Sequence, residues 1–242
     1  MENVFVYQSK EELAKESARV ILKLIQKTIE EEGRCNLVLT GGRTPVAINE
    51  QIINLARRYK IDWSVVHFFW GDERHVPPDH ADSNYKMNYE TLLIHLPVSD
   101  SHIHRIQAEL TPDVAAKQYE EEIKRVFNLK ENEIPEFDIL LLGMGPDGHT
   151  ASLFPGTSAL VIENHLVVQN YVDKLNTYRI TMTYPVINKA KHVLFLVTGS
   201  EKKEILKTVW QAPKDIFKYP AQGVSPKGEL YWYIDQESNP ST

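Results

Sequence analysis

The chain has 242 residues, enough for one large α/β domain or two small ones, with a substantial buried core. A net charge of −6, with acidic and basic residues mixed along the chain, excludes the electrostatic footprint of a nucleic-acid binder. The lone cysteine, Cys35, excludes an intramolecular disulfide and points to a reducing, cytoplasmic compartment. The start "MENVFVYQSKEEL" lacks the pattern of a secretory signal, and no apolar run reaches membrane-span length.

In chain order, 4–8 (VFVYQ) reads as a short strand. A long helix follows, with Ser9 as its cap and Glu12 at the capping-box spacing. Leu13, Ser17, Val20, Ile21, Leu24, Ile25 and Thr28 trace one face at helical period, and Gly33 stops the helix. Then come a strand at 36–40, a helix at 44–59 with Pro45 in its first turn, and a strand at 65–70. Segments 82–96 and 111–127 read as helices, and 137–143 as a strand apolar on both faces. Strands at 165–171, 178–183 and 192–199 precede a helix at 200–210 and a last strand at 230–235. Apolar strands alternating with amphipathic helices predict an α/β fold with a largely parallel sheet and helices on both faces. No repeat or interdomain linker breaks the chain, so 1–242 reads as one domain, with the tail "QESNPST" as its only candidate for disorder.

In such sheets, ligands bind beyond the carboxyl ends of the strands, which directs attention to four loops. In "TGGRTP" (40–45), Gly41 and Gly42 let the backbone approach a ligand, and the following helix offers free N–H groups suited to phosphate. Arg43 and Thr44 add a charge and a hydroxyl; the plain alternative is a tight turn. In "WGDERHVPPDHADSNY" (70–85), Asp72 and Arg74 lie just past a strand. Arginine can grip phosphate with two donors, whereas the bland reading is a surface ion pair. His75 and His80 read as loop residues, and "HIH" (102–104) as structural, since no ligand cluster completes a metal site.

The third loop, in "DILLLGMGPDGHTASLFPG" (138–156), holds the one side chain there that can move protons near neutral pH, His149. Gly143, Gly145 and Gly148 allow the backbone to turn and expose amides, and Asp147 is near enough to orient the imidazole. The fourth, "TGSEKKEIL" (198–206), puts Lys202 in a first helical turn, where a cation is mildly unfavourable unless an anion binds there.

These motifs, with "RITMTYPVINKAKHVLFLVTGSEKKEIL" and the late "PAQGV", resemble the 6-phosphogluconolactonase family in order and wording from about residue 5 to 235. The resemblance implies a Rossmann-like sheet related to that of glucosamine-6-phosphate deaminases. It implies hydrolysis of 6-phosphoglucono-δ-lactone without metal or cofactor, by a chain acting as a monomer or weak homodimer on a small sugar-phosphate lactone. His149 matches the family's general base, Arg74 and Lys202 its phosphate-binding cations, 40–45 its phosphate loop, and Arg179 a basic residue near the substrate. Members often carry Ser at the position of Arg43, so contact there through side chain or backbone stays open.

Two readings compete with the lactonase. A deaminase-isomerase carries a glutamate five residues past the histidine, where this chain has Phe154. A sugar-phosphate sensor usually adds a DNA-binding domain or loses the histidine, and this chain does neither.

Overall fold

The computed structural model describes residues 3–241. Its strands are Val4–Tyr7 (β1), Cys35–Leu39 (β2), Val66–Trp70 (β3), Asp72–Arg74 (β4), Ile139–Leu142 (β5), Val167–Val172 (β6), Thr177–Met182 (β7), His192–Val197 (β8) and Glu229–Asp235 (β9). Its helices are Lys10–Glu32 (α1), Arg43–Tyr59 (α2), Asn84–Thr91 (α3), Pro112–Phe127 (α4), Tyr184–Ile187 (α5) and Lys203–Gln211 (α6). None is long and apolar enough to cross a membrane.

Six strands form a wholly parallel sheet in the order β1-β9-β8-β5-β2-β3. Every residue of β2 and β5 is buried, as expected where both faces are covered. Along β9, Tyr231 and Tyr233 point to one face and Trp232 to the other. Tyr233 stacks on Tyr7, which lies beside Glu12 and Glu16 of α1. Trp232 stacks on Phe195 and takes Trp210 of α6 edge-on, so α1 and α6 cover opposite faces.

The first helix follows its sequence closely. Ser9 Oγ accepts the Glu12 amide at 3.2 Å, Glu12 reaches back to the Gln8 amide at 2.7 Å, and Gly33 ends the helix at φ 76°. The buried stripe includes Leu13, Ser17, Ile21, Ile25 and Thr28. It turns toward Ala14, Ala18 and Leu22, leaving Val20 and Leu24 only partly covered.

Three features depart from the expected pattern. The strands near 165–171 and 178–183 do not join the main sheet. They form an antiparallel hairpin, β6–β7, with β4 added in the order β4-β7-β6. The chain enters this second sheet at Gly71, between the end of β3 and the start of β4. The segment expected as one helix over 82–96 is α3 followed by a tighter turn at Leu93–His95. The tail after β9 is folded back rather than loose. Ser238 is fully buried; its amide bonds Asp235 Oδ1 at 2.9 Å and its hydroxyl bonds the Val197 carbonyl at 3.2 Å. Thr242, the last residue of that tail, lies outside the described residues.

Two halves of the main sheet are wound in opposite directions. From β2 the chain crosses through α2 to β3 on one side; from β5 it proceeds to β8 and β9 on the other. The strand order therefore reverses between β2 and β5, and the crevice at their carboxyl ends is the preferred ligand position of open α/β sheets.

The outer edge of β3 is closed from α4. Tyr119 Oη accepts the Trp70 amide at 2.8 Å and donates to the Trp70 carbonyl at 3.0 Å, with all these groups buried. Replacing Tyr119 with Phe strands a buried N–H. Denaturant unfolding of Tyr119→Phe is expected to show a loss of about 1–3 kcal/mol with an unchanged m-value.

Candidate active site

At the carboxyl ends of β2, β3, β5 and β8 the chain encloses a cavity of about 580 Å³, within the usual range for small-molecule sites. Its walls include Gly41, Gly42, Arg43, Thr44, Asp72, Arg74, Asn84, His149 and Lys202. Eight of the ten residues singled out in the sequence thus meet around one space. Asp147 stands behind His149, and Arg179 stands across β4 from Arg74.

The loop after β2 exposes backbone. Gly42 occupies the N-cap of α2 at φ 105°, and no side chain caps that helix end. Gly41 is needed for packing, because a Cβ there would sit 1.8 Å from Asn84 Oδ1. Arg43 turns away: its side chain is 97% exposed and lies 3.4 Å from Glu201 Oε1 at the cavity mouth. The Arg43 guanidinium thus goes to solvent at the cavity mouth. Thr44 shares a 2.8 Å hydrogen bond with Thr198, tying the loop after β2 to the loop after β8.

The segment after β3 is organised by a residue to which the sequence reading gave no role. The buried Glu73 carboxylate accepts the amides of Arg74, Asn84 and Tyr85 at 2.7–2.8 Å and the Ser83 hydroxyl at 3.1 Å. Burial raises its pKa, and the backbone hydrogen bonds only partly offset that. This cluster bends 72–85 so that Asp72, Arg74 and Asn84 reach the same cavity. Asp72 is fixed by Ser152 Oγ at 2.6 Å, and Arg74 Nη1 donates to the Asp82 carbonyl at 3.0 Å.

Arg74 and Arg179 face each other directly in the β4–β7 ladder. Like charges in that register repel. Burial and the Arg74 charge both lower the Arg179 pKa. Neither arginine has a carboxylate within ion-pair distance among the described residues, and the Lys202 ammonium has no hydrogen-bond or ion-pair partner among them either. The Lys202 ammonium is disfavoured chiefly by burial, against the pull of Glu201 and Asp147. Cations left uncompensated around a cavity mark a place suited to an anion.

The loop after β5 is compact. His149 Nδ1 lies 2.5 Å from Asp147 Oδ1, and the other Asp147 oxygen meets the Lys174 ammonium. Burial alone would raise the Asp147 pKa, but the hydrogen bonds from His149 and Lys174 outweigh it and hold the group well below the ordinary carboxylate range. The imidazole packs against the loop so closely that a Cβ on Gly145 would come within 2.1 Å of the ring. Phe154 stacks beneath it at 4.0 Å. Ala151 is held at φ 46°, an uncommon conformation for a residue with a side chain. The expected exposed amides are largely absent: those of Gly145, Gly148 and His149 bond His149 O, Gly145 O and Asp147 Oδ1 inside the loop.

Sequence reasoning passed over Lys10 and Asn84, which also line the cavity. Both come from helix starts remote in sequence from the glycine loops, although "DSNY" follows directly on the segment already flagged. The histidines at 102–104 lie elsewhere: His104 is buried between His67 and Glu122, at 2.9 and 2.7 Å.

A family model described as glucosamine-6-phosphate isomerases/6-phosphogluconolactonase matches residues 8–232. The 6-phosphogluconolactonase of a Nostoc strain is 39% identical over 220 residues, covering 90% of this chain and 89% of the relative. That of Chlamydia pneumoniae is 41% identical, covering 88% and 80%. The solved structure of a 6-phosphogluconolactonase from Thermotoga maritima is 28% identical and superposes with a TM-score of 0.83 over 97% of this chain and 99% of that one. A monomeric glucosamine-6-phosphate deaminase, 23% identical with a TM-score of 0.81 over 98% of each chain, shares the fold. A match over so much of the chain means that the chain belongs to the glucosamine-6-phosphate isomerase/6-phosphogluconolactonase family.

Proposed function

We propose that this chain is a 6-phosphogluconolactonase, hydrolysing 6-phospho-D-glucono-1,5-lactone to 6-phospho-D-gluconate. One observation carries the reading: an imidazole with its Nδ1 tied to a carboxylate shares a single cavity with cations that lack carboxylate partners. The first suits removal of a proton from water, and the second suits a phosphate held some distance from the reacting carbonyl.

In this mechanism the backbone at 41–44, Arg74 and Lys202 hold the phosphate, with Arg179 reinforcing the field from across β4. With Nδ1 donating to Asp147, His149 presents Nε2 as the acceptor. Nε2 takes a proton as the water oxygen bonds to C1. The tetrahedral oxyanion so formed develops its charge inside the field of the surrounding cations. As the oxyanion collapses, the bond from C1 to the ring oxygen breaks. The imidazolium returns its proton to that oxygen, leaving the acid and a free hydroxyl. No covalent intermediate is involved; Cys35 is buried at the start of β2, away from the cavity.

The deaminase alternative is disfavoured by Phe154. The position where that chemistry places a glutamate holds an aromatic ring stacked on His149, so the carboxylate that chemistry needs is missing from it.

His149→Ala is expected to lower kcat by about 10²–10⁴-fold, the usual weight of a general base, while binding of 6-phosphogluconate is retained. A variant with near wild-type kcat would remove His149 from the chemistry. Arg74→Ala and Lys202→Ala should each weaken 6-phosphogluconate binding by about 1.5–3 kcal/mol in calorimetry. Unchanged affinity in both would move the phosphate elsewhere. The test of the whole reading compares kcat/KM for the phosphorylated lactone with that for δ-gluconolactone, each corrected for spontaneous hydrolysis. The unphosphorylated lactone should lose in kcat as well as KM, because remote binding orients the ring. Equal values would mean a lactonase without a phosphate site.

A further inference from the structure

Lys174 lies outside the cavity, on the Asp173–Leu175 turn that joins β6 to β7, with its side chain about half exposed. Its ammonium meets Asp147 Oδ2 and also lies 4.8 Å from the centroid of the Phe154 ring. Asp147 Oδ1 is 2.5 Å from His149 Nδ1, and the His149 ring stacks on Phe154. The four side chains close a ring of contacts: Lys174 to Asp147, Asp147 to His149, His149 to Phe154, and Phe154 back to Lys174.

A carboxylate held at one oxygen can still swing about its last torsion. One held at both oxygens by different partners cannot, and its plane is then fixed. The small antiparallel sheet supplies the second grip here, since Lys174 is the only group of the ring that lies outside the 143–156 loop. We propose that Lys174 is a positioning residue: by holding Asp147 Oδ2 and covering Phe154, it fixes the carboxylate that orients the His149 imidazole toward the cavity. The kinetic part of this inference rests on the lactonase reading.

The charged groups acting on the Asp147–His149 pair are Lys174 from the β6–β7 turn and Lys202 from the loop after β8, while Asp72, Arg74, Lys10, Arg43 and Glu201 stand on the wider wall and mouth of the cavity. Of these, Lys174 alone touches the Asp147 carboxylate, so its removal and the removal of Asp147 must act on the imidazole with opposite sign. Taking away the ammonium makes the imidazolium easier to form; taking away the carboxylate makes it harder.

The experiment uses Lys174→Gln, Lys174→Arg and Asp147→Asn in the full chain. Lys174→Gln is expected to lower kcat between about tenfold and a hundredfold, the scale of a misplaced catalytic group, with KM and 6-phosphogluconate affinity little changed. Its acid limb of kcat/KM should move to higher pH. Lys174→Arg should recover most of both, and Asp147→Asn should move the limb to lower pH. The same signed shifts are expected in an NMR titration of the His149 ring without substrate. Wild-type kcat and an unmoved limb in Lys174→Gln would overturn the proposal, as would a His149 titration that does not respond to Lys174. A wild-type chain no faster than spontaneous hydrolysis would overturn the lactonase reading alone, and the NMR titration would still decide the role of Lys174.

Discussion

Parallel strands release the chain at one end, and that constraint shapes everything found at the rim. In the six-stranded sheet, β2, β3, β5 and β8 each deliver a polar loop to the same side. The reversal of strand order between β2 and β5 opens a crevice there, because helices leaving in opposite directions cannot close over it. The four loops need only local features to become a site: a pair of glycines, a buried glutamate, a short imidazole–carboxylate contact and a first-turn lysine. The Thr44–Thr198 hydrogen bond then joins the two sides of the crevice.

The second sheet adds what the first cannot supply. Through β4 and β7 it brings two arginines into register, and through the turn after β6 it brings Lys174 to Asp147. Placing like charges opposite each other costs stability unless an anion sits between or near them. Burial of Glu73 adds to that cost, offset in part by the four donors around its carboxylate. Structural economy alone does not explain this concentration of charge and strain. A phosphate at the proposed position would relieve the repulsion, so ligand and protein would stabilise each other.

Much of this was legible in the sequence, and the exceptions have physical causes. Strands such as β2 and β5 announce themselves because both faces are buried and all residues but Asn36 are apolar. The start and stop of α1 were readable because Ser9, Glu12 and Gly33 act locally. The second sheet was not: β4 has three residues, all charged, and so carries no alternating pattern, while β6 and β7 look like strands whatever sheet they join. Among site residues, those inside glycine loops stood out because the backbone there is unusual. Asn84 and Lys10 did not, since a polar residue opening a helix is ordinary until the fold brings it to a cavity. Arg43 stands out in sequence by its charge, but the turn into α2 sends its side chain outward. Lys174 sits in an exposed turn, and only its contacts with Asp147 and Phe154 distinguish it from other surface lysines.

The fold also joins the far end of the chain to the cation loop. Both oxygens of Asp235 lie 3.1 Å from the Gly199 amide, and the buried Ser238 braces Asp235 from behind while holding the carbonyl of Val197. Lys202 therefore stands on a loop whose first turn is pinned by residues only a few positions from 241. A displacement of the segment after β9 reaches the Lys202 loop through Asp235 in a single step, whereas one at the start of β1 enters at the opposite end of the sheet. The 236–241 segment thus belongs mechanically to the cation side of the cavity, although it contributes no side chain to the lining.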